Sequence, residues 1–450
     1  MSGQLSEREH LSDPACLQEL ISSTLSEAKK HGASSAEAVA STSTGLSVTV
    51  RLGEVETIEH IRDQGLGLTV FVGHRKGTAS TSDLSARAVR ETVEAACRIA
   101  RFTAEDPCVG LAEPERMAQD PPDLDLFHSS DIDAEQAIAI ATETESAARG
   151  RDARITNSEG ATLSRHAGIR AYGNTHGFFG TRPSTRYSVS CAVIAENAAG
   201  MQRDHWYSIA RDPRDLESPS NIGRKAAERT VNRLDSRRIA SCTVPVVFSA
   251  EITASLLSHF INAIRGGNLY RKASFLLDHL GKQVFPEFVR IHEQPHLKKA
   301  LGSAAFDSEG VATEPRDVVT EGMLRSYVLN SYAARRLGMQ TTANAGGVHN
   351  LTLEPGSGDL ASLLGEMNRG LLVTELMGMG VNTVTGDYSR GAAGFWVEGG
   401  EIQHPVHEVT IASNLREMFR KLRHVANDVD TRGAIRTGSA LIEQMTIAGE

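Results

Sequence analysis

The chain predicts an α+β fold. An N-terminal α/β layer carries an antiparallel sheet, a strand-rich middle follows, and a larger, mostly antiparallel β domain with helices forms the C-terminal part. Three observations predict it. The first hundred residues read helix, strands, helix, without the strand–helix alternation that builds parallel βαβ units. The stretch from Arg154 to Asp212 is a string of strand-like pieces separated by Gly and Asn, which is the pattern of a meander. Two turn-and-return signals follow, Val318 to Leu324 around Glu321-Gly322 and Phe395 to Ile402 around Gly399-Gly400. A length of 450 residues allows two or three domains with sizeable cores. The boundaries expected are 1–106, 107–240 as linker, helix and strands, and 241–450.

Each element has its own local reason. Asp13-Pro14 reads as an N-cap with Pro at the first helical position, and the helix runs to about His31, where Gly32 stops it. Leu17, Leu20, Ile21 and Leu25 share one face of it. Short strands follow at Leu46 to Arg51, Val55 to Ile61 and Gly67 to Val72, with a turn at Gly53. Asp83 caps a helix to about Phe102, Pro107 to Pro122 reads as a linker, and a helix runs from about Asp133 to Ala148. Tyr187 to Ala195 alternates as a strand and Met201 to Ser208 returns after a turn. A helix from about Ser220 to Leu234 leads to the strand Val244 to Phe248 and the apolar helix Ala250 to Ile264, whose composition predicts burial over most of its circumference.

Composition excludes several classes of function. A net charge of −9, a pI near 6.0 and the lack of any long Lys/Arg run argue against a nucleic-acid binder. The polar start lacks a signal-peptide core, and apolar runs such as Gly370 to Val381 are interrupted by Glu375, so no membrane span is expected. The five cysteines, Cys16, Cys97, Cys108, Cys191 and Cys242, are scattered and odd in number. They read as reduced, small buried hydrophobes of a cytoplasmic protein.

Several long strings in fixed order carry more information. They are NLYRKASFLLDHLGK (Asn268 to Lys282), FDSEGV (Phe306 to Val311), ANAGGVHN (Ala343 to Asn350) and LLVTELMGMGVNTVTGDYSRGAAGFWVEGGEI (Leu371 to Ile402). They resemble the C-terminal half of the TldD/PmbA family, the "modulator of DNA gyrase" peptidases, and more narrowly its PmbA/TldE branch. The resemblance covers nearly the whole chain and is densest after Val244. The catalytic TldD branch carries a helical H-E-x-x-x-H motif and a downstream Cys as a further zinc ligand. Aligned on Leu256-Leu257 and on Gly266-Gly267, this chain has Ser258 and Ala263 where the two His ligands belong and His259 where the Glu base belongs. Thr437 stands at the Cys position. A catalytic zinc needs about three ligands from His, Cys or carboxylate. The resemblance therefore implies no catalytic residue, no metal ligand and no cofactor on this chain. Zinc is expected on a TldD-type partner, in a heterodimer that hydrolyses short unstructured peptides. Two other readings stay open: a stand-alone metallopeptidase with an unrecognised metal site, and a non-enzymatic binding or scaffold homodimer.

Other candidates are weaker. His292-Glu293-Gln294-Pro295-His296 spells H-E-x-x-H, but Pro295 prevents the helix that would converge both imidazoles on one ion. It is expected to start a new helix through Leu301 instead. Gln403 to Glu408 is interrupted in the same way by Pro405. Gly346, Gly347 and His349 read as a tight loop that either rims a peptide groove or simply turns between elements. Asp387 and Arg390, in the Gly-flanked run 386–391, read as an interface loop or a mutual surface pair.

Overall fold

The structure, a computed structural model, describes residues 14–449. The expected cap at Asp13 and the polar start lie largely outside the described residues. The first helix, α1 (Pro14–Lys30), buries Leu17 and Ile21 as its periodicity predicts. It leads into β1 (Ser35–Arg51), β2 (Glu54–Val72) and β3 (Arg75–Thr81), then α2 (Ala86–Phe102). After the linker come α3 (Ala134–Arg149), β4 (Ile155–Asn174), β5 (Phe179–Asn197), β6 (Gly200–Ala210) and α4 (Pro219–Val231). All six strands form one antiparallel sheet in the order β3-β2-β1-β4-β5-β6. β1 pairs with β4, so the strands on either side of the linker are continuous.

The strands are much longer than the sequence pieces suggested. Along β1, Ala36, Ala38 and Ala40 pack under α1 and α2, while Leu46, Val48 and Val50, on the same face, pack under α3 and α4. One strand thus serves two helix pairs side by side. Its first half escaped sequence reading because alanines alternating with Ser, Thr and Glu carry little strand signature. The Asp83 cap moves by two residues: Asp83 accepts from the Ser85 N–H, and Ser85 is the N-cap, accepting from Ala88. Asp133 caps α3 in a full capping box with Gln136. The α3–α4 crossing is close at Gly223, where an added Cβ would stand 2.1 Å from the Thr144 carbonyl oxygen.

The remaining chain forms a mixed sheet and a smaller five-stranded sheet. In the first, β7 (Cys242–Phe248), β12 (Arg369–Met377), β13 (Asp387–Glu398), β14 (Glu401–Asn414), β15 (Leu422–Val425) and β17 (Ala440–Ala448) order as β14-β13-β12-β7-β17-β15, and a β14–β17 pairing closes the ring. The pairings are antiparallel except β12 with β7. The predicted Phe395–Ile402 hairpin is the β13–β14 turn, with Gly399 and Gly400 at φ of 64° and 80°. The smaller sheet holds β8 (Ile291–Glu293), β9 (Arg316–Thr320), β10 (Met323–Leu324), β11 (Leu351–Leu353) and β16 (Ile435–Arg436). The second predicted hairpin is β9–β10. No helix begins at Pro295; residues 295–301 are successive turns.

The run 386–391 is not a loop, since Asp387 to Gly391 are the first rungs of β13 against β14. Four of the five cysteines are buried or half-buried, but Cys16 is exposed on α1, so the buried-hydrophobe reading fails there. Among the described residues, no helix is long and apolar enough to cross a membrane.

Candidate functional site

The site that sequence singles out is built on α5 (Ala250–Ala263), which leaves the end of β7 through Ser249. The Ser249 N–H donates to the Val373 carbonyl, and the Thr253 hydroxyl closes the first turn on the Phe248 and Ser249 carbonyls. Leu256, Leu257, Phe260, Ile261 and Ala263 are buried in the main C-terminal core, with Phe260 in edge contact with Phe285 and Phe419. The opposite face is open: Ser258 and Asn262 are exposed, so burial is less complete than the apolar composition predicts.

The positions aligned with a zinc site do not form one. Ser258 points outward, and its hydroxyl donates to the Ala254 carbonyl at 2.9 Å. Ala263 is fully buried and lies about 140° further round the helix. The Thr437 hydroxyl is buried and donates to the Gly438 carbonyl at 3.0 Å. His259 is half-buried, its ring in edge contact with Tyr388 at 6.0 Å, and its Nε2 has no hydrogen-bond partner. Burial, and then the nearby Arg390 guanidinium, hold this imidazole below its ordinary pKa. These residues do not fit a bound zinc, because Ala263 has no donor atom, Ser258 is turned outward on another face of the helix, and a neutral Ser or Thr hydroxyl is not among the His, Cys and carboxylate ligands that zinc takes. Among the described residues no group of three or more His, Cys, Asp or Glu is placed to hold a metal ion.

Asp387 and Arg390 do not pair with each other. Asp387 accepts from the Thr385 hydroxyl and from Asn414, while Arg390 donates to the Gly378 carbonyl and to Ser255 on α5. Adjacent side chains on β13 point to opposite faces, and Arg390 is thereby brought to the helix that carries Ser258 and His259.

The other predicted residues gather at the C-terminal end of α5. Gly346 and Gly347 take φ of 104° and 136° in the loop after Asn344, a conformation open to glycine. This loop is pinned by the Glu of the H-E-x-x-H string. Buried Glu293 accepts from Asn344 Nδ2 and from the His349 N–H and forms an ion pair with Arg316. His349 in turn bonds the Ala343 carbonyl through Nε2, and burial lowers its pKa. His292 lies in β8 and His296 in the following turns, bonded to Thr313, so the two are held by different partners on different elements. The loop is tied from the other side by Asp307, whose carboxylate accepts from the N–H groups of Glu309, Val311 and Ala345. Burial, and then the Glu309 carboxylate, push Asp307 up to about 7.

Between this loop and residues 265–270, which follow α5, lies a cavity of about 390 Å³. It is lined by Gly346, Asn344, Arg265, Tyr270 and Tyr332 among others. Sequence reading found Gly346 but missed Arg265, Tyr270 and Tyr332. The signal was present: Tyr270 belongs to the NLYRKA string, and Arg265 immediately precedes the Gly-Gly pair used for alignment.

Comparison with known proteins is consistent along the chain. Family models match residues 36–100 (PmbA/TldA metallopeptidase domain 1), 127–234 (the central domain) and 241–449 (the C-terminal domain). The chain is 48% identical over 434 residues to the metalloprotease PmbA of Escherichia coli O157:H7, covering 96% of each chain. It is also 48% identical, with the same coverage, to a PmbA homologue of Haemophilus influenzae. A crystal structure of a putative modulator of DNA gyrase from Bacteroides thetaiotaomicron superposes with a TM-score of 0.91 at 28% identity, covering 96% of this chain and 99% of that one. The TldE structure from Thermococcus kodakarensis shares the fold, with a TM-score of 0.84 at 21% identity over 95% of this chain and 99% of its own.

Proposed function

Because the chain belongs to the PmbA/TldA metallopeptidase family, we propose that it is the subunit without a metal site in a two-chain peptidase, paired with a TldD-type chain that carries zinc. The pair degrades or processes short, unstructured peptides in the cytoplasm. The observation that carries this reading is the chemistry of α5. At the aligned positions stand an outward Ser258, a buried Ala263, a His259 set edge-on to Tyr388 with its Nε2 without a hydrogen bond, and, beyond the helix, a buried Thr437. The chain contributes one wall of the peptide chamber and positions substrate, while metal-activated water is supplied by the partner.

A free sheet edge supports a partnered chain. β3 pairs with β2 only from Leu66 onward, so residues 54–64 of β2 are paired on one side alone. Val55, Ile58 and Ile61 along that stretch are 44%, 45% and 49% exposed, and Leu52 in the turn before it is 47% exposed. A long edge with apolar side chains is a template for another chain, and natural proteins normally blunt or cover it. The partner subunit is the occupant proposed for it.

Native co-purification with metal analysis of each subunit tests the reading. The expected result is a complex in which zinc follows the partner chain. Recovery of this chain as a zinc-loaded homodimer would contradict it.

A further inference from the structure

We propose that the cavity at the C-terminal end of α5 is a subsite for the terminal carboxylate of an extended peptide, with Arg265 as its recognition group. The proposal rests on the peptide-processing reading above and deepens it by naming the end of the substrate this chain would hold.

Arg265 lines the cavity, is exposed to it, and has no carboxylate partner among the described residues. The contrast with the cavity between β6 and the N-terminal end of α5 is informative. That cavity is lined by Arg203, Arg229, Arg233 and Arg432, and each is neutralised by a carboxylate of the chain itself, from Glu159, Asp204, Glu375 and Asp430 respectively. In a protein of net charge −9, an arginine left without such a partner beside a cavity is available for an external anion.

The surroundings hold Arg265 in place. The Gly266 N–H donates to the Val328 carbonyl, and Val328 N–H donates back to Ile264. A Cβ at Gly266 would stand 2.5 Å from that of Ala333, so the backbone beside Arg265 is packed tight. The position a Cβ would take on Gly347, next to the lining residue Gly346, lies 4.0 Å from the Arg265 guanidinium. The missing side chain leaves room beside the guanidinium for a ligand. Two further arginines, Arg271 and Arg336, lie 5.6 and 5.4 Å from the Tyr270 ring centroid. Arg336 is offset by the nearby Asp106 carboxylate, whereas Arg271 has no ion-pair partner among the described residues and adds positive potential on the same side. Tyr270 and Tyr332, in edge contact at 5.7 Å, supply an apolar wall. The Tyr332 hydroxyl donates to Asp106, whose carboxylate also accepts from the Cys108 N–H. Asp106 forms no ion pair with Arg265 among the described residues. A volume of about 390 Å³ sits at the small end of the range for ligand pockets, suited to a terminal residue and not to a folded partner.

The test is fluorescence anisotropy with an N-terminally labelled, uncharged hexapeptide, as the free acid and as the C-terminal amide. Both are titrated with the full chain, alone and with its partner. The acid is expected to bind about ten-fold more tightly than the amide, the scale of one charge-assisted hydrogen-bonded contact. Arg265→Gln should abolish the difference while leaving the amide unchanged, and Arg265→Lys should keep part of it. Equal binding of acid and amide to the wild-type chain, or equal weakening of both by Arg265→Gln, would overturn the proposal. So would an amidated peptide with an internal Glu that binds as tightly as the free acid, since the site would then read side chains. Cleavage by the pair is scored separately. A pair that cleaves peptides while acid and amide bind alike removes the subsite and leaves the proposed function. An acid preference in binding with no cleavage by the pair removes the proposed function and leaves the subsite.

Discussion

Glu293 and Asn344, 51 residues apart, are joined by two contacts of 3.0 and 3.3 Å from the amide nitrogen to the two carboxylate oxygens. Arg316 pairs with the same carboxylate and also donates to the Asn344 side-chain carbonyl. The string that imitates a zinc motif is therefore the anchor of the glycine loop. A buried charge that loses its partner is costly, about 3–5 kcal/mol for a well-formed pair. Glu293→Ala is accordingly expected to destabilise the chain by about that amount, read as a lowered midpoint in urea with an unchanged slope. His292→Ala should cost less, because its Nδ1 has no hydrogen-bond partner and only a long, 3.9 Å approach to the half-exposed Glu354. Equal effects of the two would contradict the anchoring role.

His259 gives a prediction with a definite sign. Its pKa is lowered in the folded chain by burial and by Arg390, whereas in the unfolded chain it titrates near 6.5. Just below that pH the unfolded state binds the proton and the folded state does not, so stability falls as pH drops through about 6.5. His259→Gln should shrink the loss of stability between pH 7 and pH 5. Arg390→Glu should raise the imidazole pKa, seen by NMR titration of the ring protons. Turnover of the reconstituted pair by His259→Gln should stay within a few-fold. General acid–base groups contribute about 10²–10⁴-fold. A loss of that size with assembly intact would make His259 a chemical participant.

The exposed edge of β2 gives a third expectation. Ile58→Asp places a charge on the free stretch without touching the core, since Ile58 is 45% exposed. Stability of the isolated chain should change little, and affinity for the partner should fall by about ten-fold or more, a loss of 1.4 kcal/mol or above. Unchanged titration of variant chain into partner, followed by peptide cleavage, would place the interface elsewhere.

Some of this was legible in sequence and some was not. The helix start at Asp133, the Gly399-Gly400 hairpin and the helix from Ala250 follow from local rules, and these elements stand where the residues put them. The Ser35–Thr44 half of β1 was missed because its buried face is alanine and threonine, whose burial is decided by the helices above it. The helix expected at Pro295 failed because a Pro at a permitted first position does not supply the following turns with a reason to form. Arg265 and Glu293 are tertiary facts: one is marked by a partner it lacks, the other by partners far along the chain.

As the proposed subunit without a metal site, this chain is expected to supply no zinc and no cleavage of its own. The most direct test measures peptide hydrolysis and zinc content of the highly purified chain, then repeats both after adding a TldD-type partner. The account predicts no hydrolysis and no stoichiometric zinc for the chain alone, and chelator-sensitive hydrolysis for the pair. About one tightly held zinc per chain, together with hydrolysis that is independent of the partner, would contradict it.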